Sequence, residues 1–137
     1  MRRYLLDTNA VGDWINRRHG IDLRVREARG CGAVIGTCEP VVAELFFGVE
    51  NSDTRDANTD RLQRALAGLK CWPLTREASR EFGRIMATLK RAGNMIGPMD
   101  VLIAAIALTL PECIVVSKDT DLLHIHGLTV ENWAEAS

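Results

Sequence analysis

Five acidic residues of this chain border or interrupt apolar segments, which is an unusual place for a carboxylate. They are Asp7, Glu44, Asp100, Asp119 and Asp121. A carboxylate in apolar surroundings is costly unless it is paired or bound to a metal ion. Basic partners are scarce near these positions apart from Lys118. If the acids converge, Mg²⁺ or Mn²⁺ would relieve their repulsion, because hard divalent ions prefer oxygen ligands. Such a centre could polarise a phosphodiester and stabilise its leaving oxygen.

Each acid also has an ordinary structural explanation. Asp7 could cap the N-terminus of a helix, and Asp100 could be favoured at a helix start by the helix dipole. Glu44 could face water from the polar edge of its helix. Asp119 and Asp121 could be turn residues. Taken singly, each position favours the ordinary explanation; taken together, the five favour a shared site.

Alternating strands and helices are predicted around these acids. The apolar runs 4–6, 33–36, 114–116 and 128–130 predict strands, with a possible edge strand at 71–74. Helices are predicted at 10–16, at 40–49, from the N-cap Thr75 through Arg91, and at 99–110. Residues 51–60 are either a polar loop or an exposed helix start, before a helical pattern at 62–69. This order predicts one domain over residues 1–137, a three-layer α/β/α fold with a mainly parallel central sheet. Ligands bind at the carboxyl ends of such strands, where Asp7 and Asp119 stand.

The composition is that of an ordinary globular domain. The chain has 137 residues, of which 47% are apolar and 26% charged, and a chain of this size buries about two-thirds of its unfolded surface. The apolar run 101–110 is shorter than the ~20 residues that cross a bilayer, and no signal peptide is recognisable, so we expect a cytoplasmic protein without membrane contact. The four scattered cysteines match no zinc module, and we expect buried free thiols.

Charge alternates in blocks along the chain. Residues 1–30 and 61–97 are net positive, whereas residues 31–60 and 98–137 are net negative. Solvated helix faces alone could produce this pattern. If the acids converge and the basic blocks surround them, the same pattern describes a metal site inside a polyanion-binding rim.

Four short motifs and the chain ending carry a resemblance to a known family. They are Leu-Leu-Asp-Thr-Asn at 5–9, Val-Ala-Glu-Leu at 42–45 with Gly48, Asp-Val-Leu-Ile-Ala-Ala at 100–105, Ser-Lys-Asp-Thr-Asp-Leu at 117–122, and the ending at 127–133. In this order they resemble PIN-domain ribonucleases. More narrowly, the whole chain resembles VapC-type toxins of bacterial type II toxin–antitoxin modules.

The resemblance implies a metal-dependent endoribonuclease with a PIN-like fold. The catalytic acids would be Asp7, Glu44, Asp100 and Asp119, and the ligands of Mg²⁺ or Mn²⁺ would be Asp7, Asp100, Asp119 and Asp121. Supporting polar groups would be Thr8, Asn9 and Ser117, although caps and turn hydroxyls explain these nearly as well. The segment 117–122 departs slightly from the family's usual pattern, because Ser117 stands where Thr is common and Leu122 where Phe is common. Hydrolysis would leave a 5′-phosphate and a 3′-hydroxyl.

Partners also follow from the resemblance. We expect an RNA substrate, a cognate VapB-type antitoxin and a homodimer, with residues 41–49 and 60–69 as possible contact surfaces or simply core. The cations expected to meet RNA are Arg76, Arg80, Arg84, Lys90 and Arg91, with Arg17 and Arg18 beside the first helix. Aromatic residues are too few for a base-stacking platform, which favours recognition of a structured RNA, such as tRNA or rRNA, by its shape.

Alternatives from other classes remain at this stage. A Mg²⁺-binding phosphotransfer receiver domain is also a small α/β fold, but it would need paired acids after the first strand and a lone acceptor after a later one. A phosphatase with an aspartyl nucleophile would need a second aspartate where Asn9 stands. A non-catalytic interaction module on the PIN fold is the remaining alternative, and a test of RNA cleavage with and without EDTA separates all of them.

Overall fold

The computed structural model describes residues 1–134 as a parallel sheet flanked by helices. The strands are β1 (Arg3–Leu6), β2 (Val34–Cys38), β3 (Lys70–Trp72), β4 (Cys113–Val116) and β5 (Thr129–Glu131). The helices are α1 (Thr8–Asn16), α2 (Ile21–Gly30), α3 (Glu39–Glu50), α4 (Arg55–Leu66), α5 (Arg76–Arg91) and α6 (Pro98–Leu108), with a short 3₁₀ helix at Thr120–His124. This architecture confirms the predicted three-layer α/β/α fold.

The strand order creates a crevice at the carboxyl edge of the sheet. All neighbouring strands pair in parallel in the order β3-β2-β1-β4-β5. The chain therefore moves outward from β1 to β2 and β3, and then crosses to the other side of β1 for β4 and β5. Helices α1 to α4 belong to the connections on one side of β1, and α5 and α6 belong to the connection that crosses to the other side. Strand order reverses between β1 and β4, which is where open α/β sheets bind ligands.

The central strands and α6 form the most deeply buried part of the molecule. Leu5 and Leu6 of β1 and Val115 and Val116 of β4 are almost fully buried. Helix α6 contacts α5, α3 and β4, and its residues are apolar on almost every side. Continuous apolar segments are typical of strands and helices that are covered on more than one side. No helix within residues 1–134 is long and apolar enough to cross a bilayer.

Several local predictions needed correction. Helix α2 was not predicted, because half of its ten residues are charged and only Ile21 and Val25 are buried. Helix α4 begins at Arg55, so residues 55–60 form the exposed helix start that is one of the two structures the sequence allows there. Leu69 is buried but lies beyond the end of α4, although its spacing had suggested that the helix continues.

The cysteine prediction is wrong in part. All four thiols are free, as expected, and Cys38 is fully buried at the start of α3. Cys31 is exposed, because it lies in the turn that follows the unpredicted α2.

Substitution of Gly36 tests the packing of the sheet. A Cβ atom at Gly36 would lie 2.5 Å from the Lys70 backbone oxygen and 2.8 Å from Trp72, so we expect Gly36→Ala to lower the free energy of unfolding by about 1–3 kcal/mol. Gly83 in α5 has open space around it, and Gly83→Ala should raise that free energy by about 0.5–1 kcal/mol. Urea denaturation measures both. An unchanged midpoint for Gly36→Ala would contradict the β2–β3 pairing.

Candidate metal centre

A pocket of about 240 Å³ opens at the carboxyl edge of the sheet. It is lined by Asp7, Thr8, Asn9, Glu44, Met99, Asp100, Ile103 and Asp119. The four acids that the family resemblance marked as catalytic therefore share one pocket, although they come from four separate segments. We call this the acid pocket.

Three of the carboxylates come closest together. One oxygen each from Asp100, Asp119 and Asp121 lies within 4.8 Å of the others. The first turn of α6, which starts at Pro98, supplies Asp100. Asp119 caps the 3₁₀ helix, where its Oδ1 accepts the Asp121 backbone N–H at 2.9 Å. The ordinary capping role of Asp119 is thus fulfilled, and the same turn brings Asp121 into the group.

Asp7 lines the acid pocket from the end of β1 and lies outside this closest group of three. Its side chain is buried, and its Oδ1 accepts the Ala10 backbone N–H at 2.8 Å, so Asp7 is also the N-cap of α1. Burial raises the pKa of Asp7 above its usual range, and the Asp119 charge adds to that rise. Hydrogen bonds from Ser117 and from the Ala10 amide work against it.

The three supporting polar residues differ in burial and in their hydrogen bonds. Ser117 is buried between two of the acids: its Oγ accepts the Asp119 backbone N–H at 3.0 Å, and its hydroxyl lowers the pKa of Asp7. Asn9 is exposed at the pocket wall. Thr8 Oγ1 is buried in the same wall and has no hydrogen-bond partner among residues 1–134.

Electrostatic crowding is strongest at Asp100. Burial, a hydrogen bond with Asp119, and the charges of Asp119, Asp7 and Asp121 together raise the pKa of Asp100 to about 7. Without a bound cation, this carboxyl therefore keeps its proton to a much higher pH than an ordinary aspartate does. Within residues 1–134, no lysine or arginine forms a salt bridge with any acid of the pocket.

The donors present fit a hard divalent cation. Clustered carboxylates without basic partners are typical ligands of Mg²⁺ and Mn²⁺. The unpartnered Thr8 hydroxyl in the wall adds a polar group that a hydrated ion could satisfy. Asp100, Asp119 and Asp121 are placed to hold such an ion, with Asp7 beside them in the pocket.

Two apolar residues that the sequence analysis does not name line the acid pocket, whereas the predicted RNA-binding cations of α5 do not. Met99 and Ile103 form the apolar side of the pocket; their positions next to Asp100 and one turn after it on a helix could have indicated this. The five α5 cations, Arg76, Arg80, Arg84, Lys90 and Arg91, are all exposed and line no part of the acid pocket.

The raised pKa of Asp100 predicts how stability depends on pH in EDTA. Between the ordinary pKa of 3.8 and the folded value of about 7, the folded state binds more protons than the unfolded state, so its stability falls as pH rises. Asp100→Asn removes this dependence. We expect the variant and the wild type to have the same melting temperature near pH 3.8. Above about pH 7, the variant should have the higher melting temperature.

An exposed acid outside the pocket provides the control. Asp53 is exposed in the turn before α4, and Asp53→Asn should follow the wild-type pH profile. If the wild type and Asp100→Asn lose stability equally as the pH rises, Asp100 is not crowded by its neighbours.

Comparisons with known proteins agree with this geometry. The PIN domain family model matches residues 4–128. The chain is 29% identical over 133 residues to Ribonuclease VapC2 of Haemophilus influenzae, covering 97% of this chain and 99% of that protein. It is 25% identical over 135 residues to the tRNA(fMet)-specific endonuclease VapC of Shigella flexneri, covering 98% and 100%.

A solved structure shows the same architecture. The crystal structure of VapBC2 from Rickettsia felis, bound to a DNA fragment from the promoter, superposes with a TM-score of 0.87 at 26% identity, covering 96% of this chain and 98% of that chain. The family match spans both strands that border the crevice and all the acids of the pocket. The chain therefore belongs to the PIN-domain family.

Proposed function

We propose that this protein is the toxin of a toxin–antitoxin pair, an endoribonuclease that uses Mg²⁺ or Mn²⁺ to hydrolyse a structured RNA such as tRNA or rRNA. The observation that carries the proposal is the convergence of Asp7, Glu44, Asp100 and Asp119 in one pocket at the strand-order reversal of a PIN-domain sheet. The similarity to proteins named ribonuclease and tRNA(fMet)-specific endonuclease supports RNA as the substrate.

The chain's own residues divide the work at the acid pocket. Asp100, Asp119 and Asp121 would hold the cation together with Asp7, which lines the same pocket from the end of β1. Asp100 would have to be deprotonated to do so. Ser117 fixes the positions of Asp7 and Asp119 relative to each other. When bound, a divalent ion polarises the phosphodiester, lowers the pKa of water and stabilises charge on the leaving oxygen. Glu44 lines the same pocket from α3 and would add a fourth segment's negative charge there.

Helix α5 contributes a basic rim. Its exposed cations include Lys90 and Arg91 at its C-terminal end, from which a short connection leads to Pro98 at the start of α6. Arg84 is less available, because it forms an ion pair with Glu81. Contacts from such side chains to phosphates would provide affinity without sequence preference.

Two protein partners complete the proposal. A VapB-type antitoxin is supported by the similarity to a VapBC assembly. A homodimer is supported by Phe47, which is 70% exposed on α3, only three residues after Glu44. Phe46 beside it is partly buried, so the exposed apolar surface on this helix is smaller than the sequence suggested. We place the protein in the cytoplasm.

Cleavage of RNA by the purified protein tests the proposal. We expect cleavage of a total RNA pool with Mg²⁺ or Mn²⁺ and none in EDTA. Asp7→Asn should reduce the rate by more than about a hundredfold, since metal-assisted stabilisation contributes several kcal/mol. Asparagine caps helices as well as aspartate does, so α1 should keep its cap and the fold.

The cleavage assay has a control variant and two results that would contradict the proposal. Asp53→Asn removes the same charge outside the pocket and should leave the rate unchanged. Undiminished cleavage in EDTA or by Asp7→Asn would refute the metal-nuclease proposal. A folded wild-type protein that cleaves no RNA under any of these conditions would instead indicate a non-catalytic interaction module.

A further inference from the structure

A second cavity, of about 470 Å³, lies between α1, α2 and α4 and shares no lining residue with the acid pocket. Its charged lining consists of four arginines and one aspartate: Arg17, Arg26, Arg29, Arg61 and Asp22. Trp14 forms part of its wall. We call this cavity the arginine groove. Because cations outnumber the single acid, the groove is strongly positive in a chain whose formal net charge is -1.

Two of these arginines are fixed in place by neutral acceptors. Arg61 donates from Nη2 to Asn16 Oδ1 at 2.7 Å and to the Ile15 carbonyl oxygen at 3.3 Å. Arg29 donates to the Gly68 carbonyl oxygen, and its guanidinium lies 5.8 Å from the centre of the Trp14 ring. These contacts hold the side chains without neutralising their charge.

The other two arginines are available for an anion. Arg17 and Arg26 are exposed, and neither takes part in a salt bridge or side-chain hydrogen bond within the part of the chain that the structure describes. A guanidinium carries five N–H donors in a planar fork, which matches the oxygens of a phosphate group in two-point contacts. The groove therefore combines fixed and free phosphate-binding groups.

Helix α1 connects the arginine groove to the acid pocket. Thr8 at its start lines the acid pocket, whereas Trp14 and Ile15 near its end line the groove. A nine-residue helix is about 13 Å long at a rise of 1.5 Å per residue. The two cavities thus line opposite ends of one short helix. A nucleic-acid strand of several nucleotides, with one phosphate roughly every 3.4 Å, is long enough to reach both.

We propose that the arginine groove binds the phosphate backbone of the RNA substrate, next to the nucleotides that reach the acid pocket. This rests on the proposed function and adds the surface that holds the RNA. The acid pocket repels the flanking phosphates, and the groove at the other end of α1 supplies the attraction. An acidic protein segment would match the charge as well, but the continuity with the acid pocket along α1 favours the polyanion that is cut there.

Binding of fluorescently labelled bulk tRNA tests the groove without depending on cleavage. The Asp7→Asn protein, which should leave the RNA intact, is the background. Arg17→Gln with Arg26→Gln should lower the affinity by on the order of tenfold, because two phosphate contacts are lost. The slope of affinity against salt should decrease by about two, or one for each contact. Arg29 and Arg61 are left in place because their hydrogen bonds support the fold.

A matched pair in α4 serves as the control. Arg55→Gln with Arg64→Gln removes the same charge from exposed positions that do not line the groove, so affinity should change by less than about twofold. Equal tRNA affinity and salt slope in the two pairs would overturn the groove proposal, while cleavage by wild type would leave the proposed function intact. If Arg17→Gln with Arg26→Gln loses binding to poly-glutamate but binds tRNA as before, the groove proposal is overturned in favour of an acidic protein partner.

Discussion

Repulsion between carboxylates is the constraint on which the arrangement of this protein depends. Folding brings Asp100, Asp119 and Asp121 within 4.8 Å of one another, with Asp7 nearby and no salt-bridging cation among the described residues. The apolar packing of β1, β4 and α6 must offset this repulsion in the absence of a cation. The crowding acts most strongly on Asp100, whose pKa rises to about 7 because the carboxyl is buried, hydrogen-bonded to Asp119 and close to the other acids.

Local structure and site chemistry depend on the same atoms. Asp7 caps α1 and Asp119 caps the 3₁₀ helix, so each ordinary structural role fixes an oxygen atom at the pocket. The positive charge lies elsewhere, at the far end of α1 and on α5. The net charge of -1 thus conceals a negative pocket and separate positive surfaces, and the proposed RNA-cleaving function uses both signs of charge.

The sequence predicted the elements whose patterns are strong. β-Branched and apolar runs indicated β1, β4 and the buried α6, and the positions of Asp7 and Asp119 after strands indicated a common edge. Helix α2 escaped prediction because its buried stripe is only Ile21 and Val25, and the arginine groove escaped with it. Which acids approach most closely depends on the 3₁₀ turn and on side-chain positions, which residue spacing does not specify. That residues 1–137 form one domain stays a prediction.

The most direct test is a carbon-detected NMR titration of the aspartate carboxyl groups in metal-free protein. If the acids converge as described, Asp100 should titrate near pH 7, and saturating Mg²⁺ should move its transition to lower pH, because the ion competes with the proton. Titration of Asp100 near the ordinary pKa of 3.8, with no response to Mg²⁺, would contradict the convergence and the metal centre that is built on it.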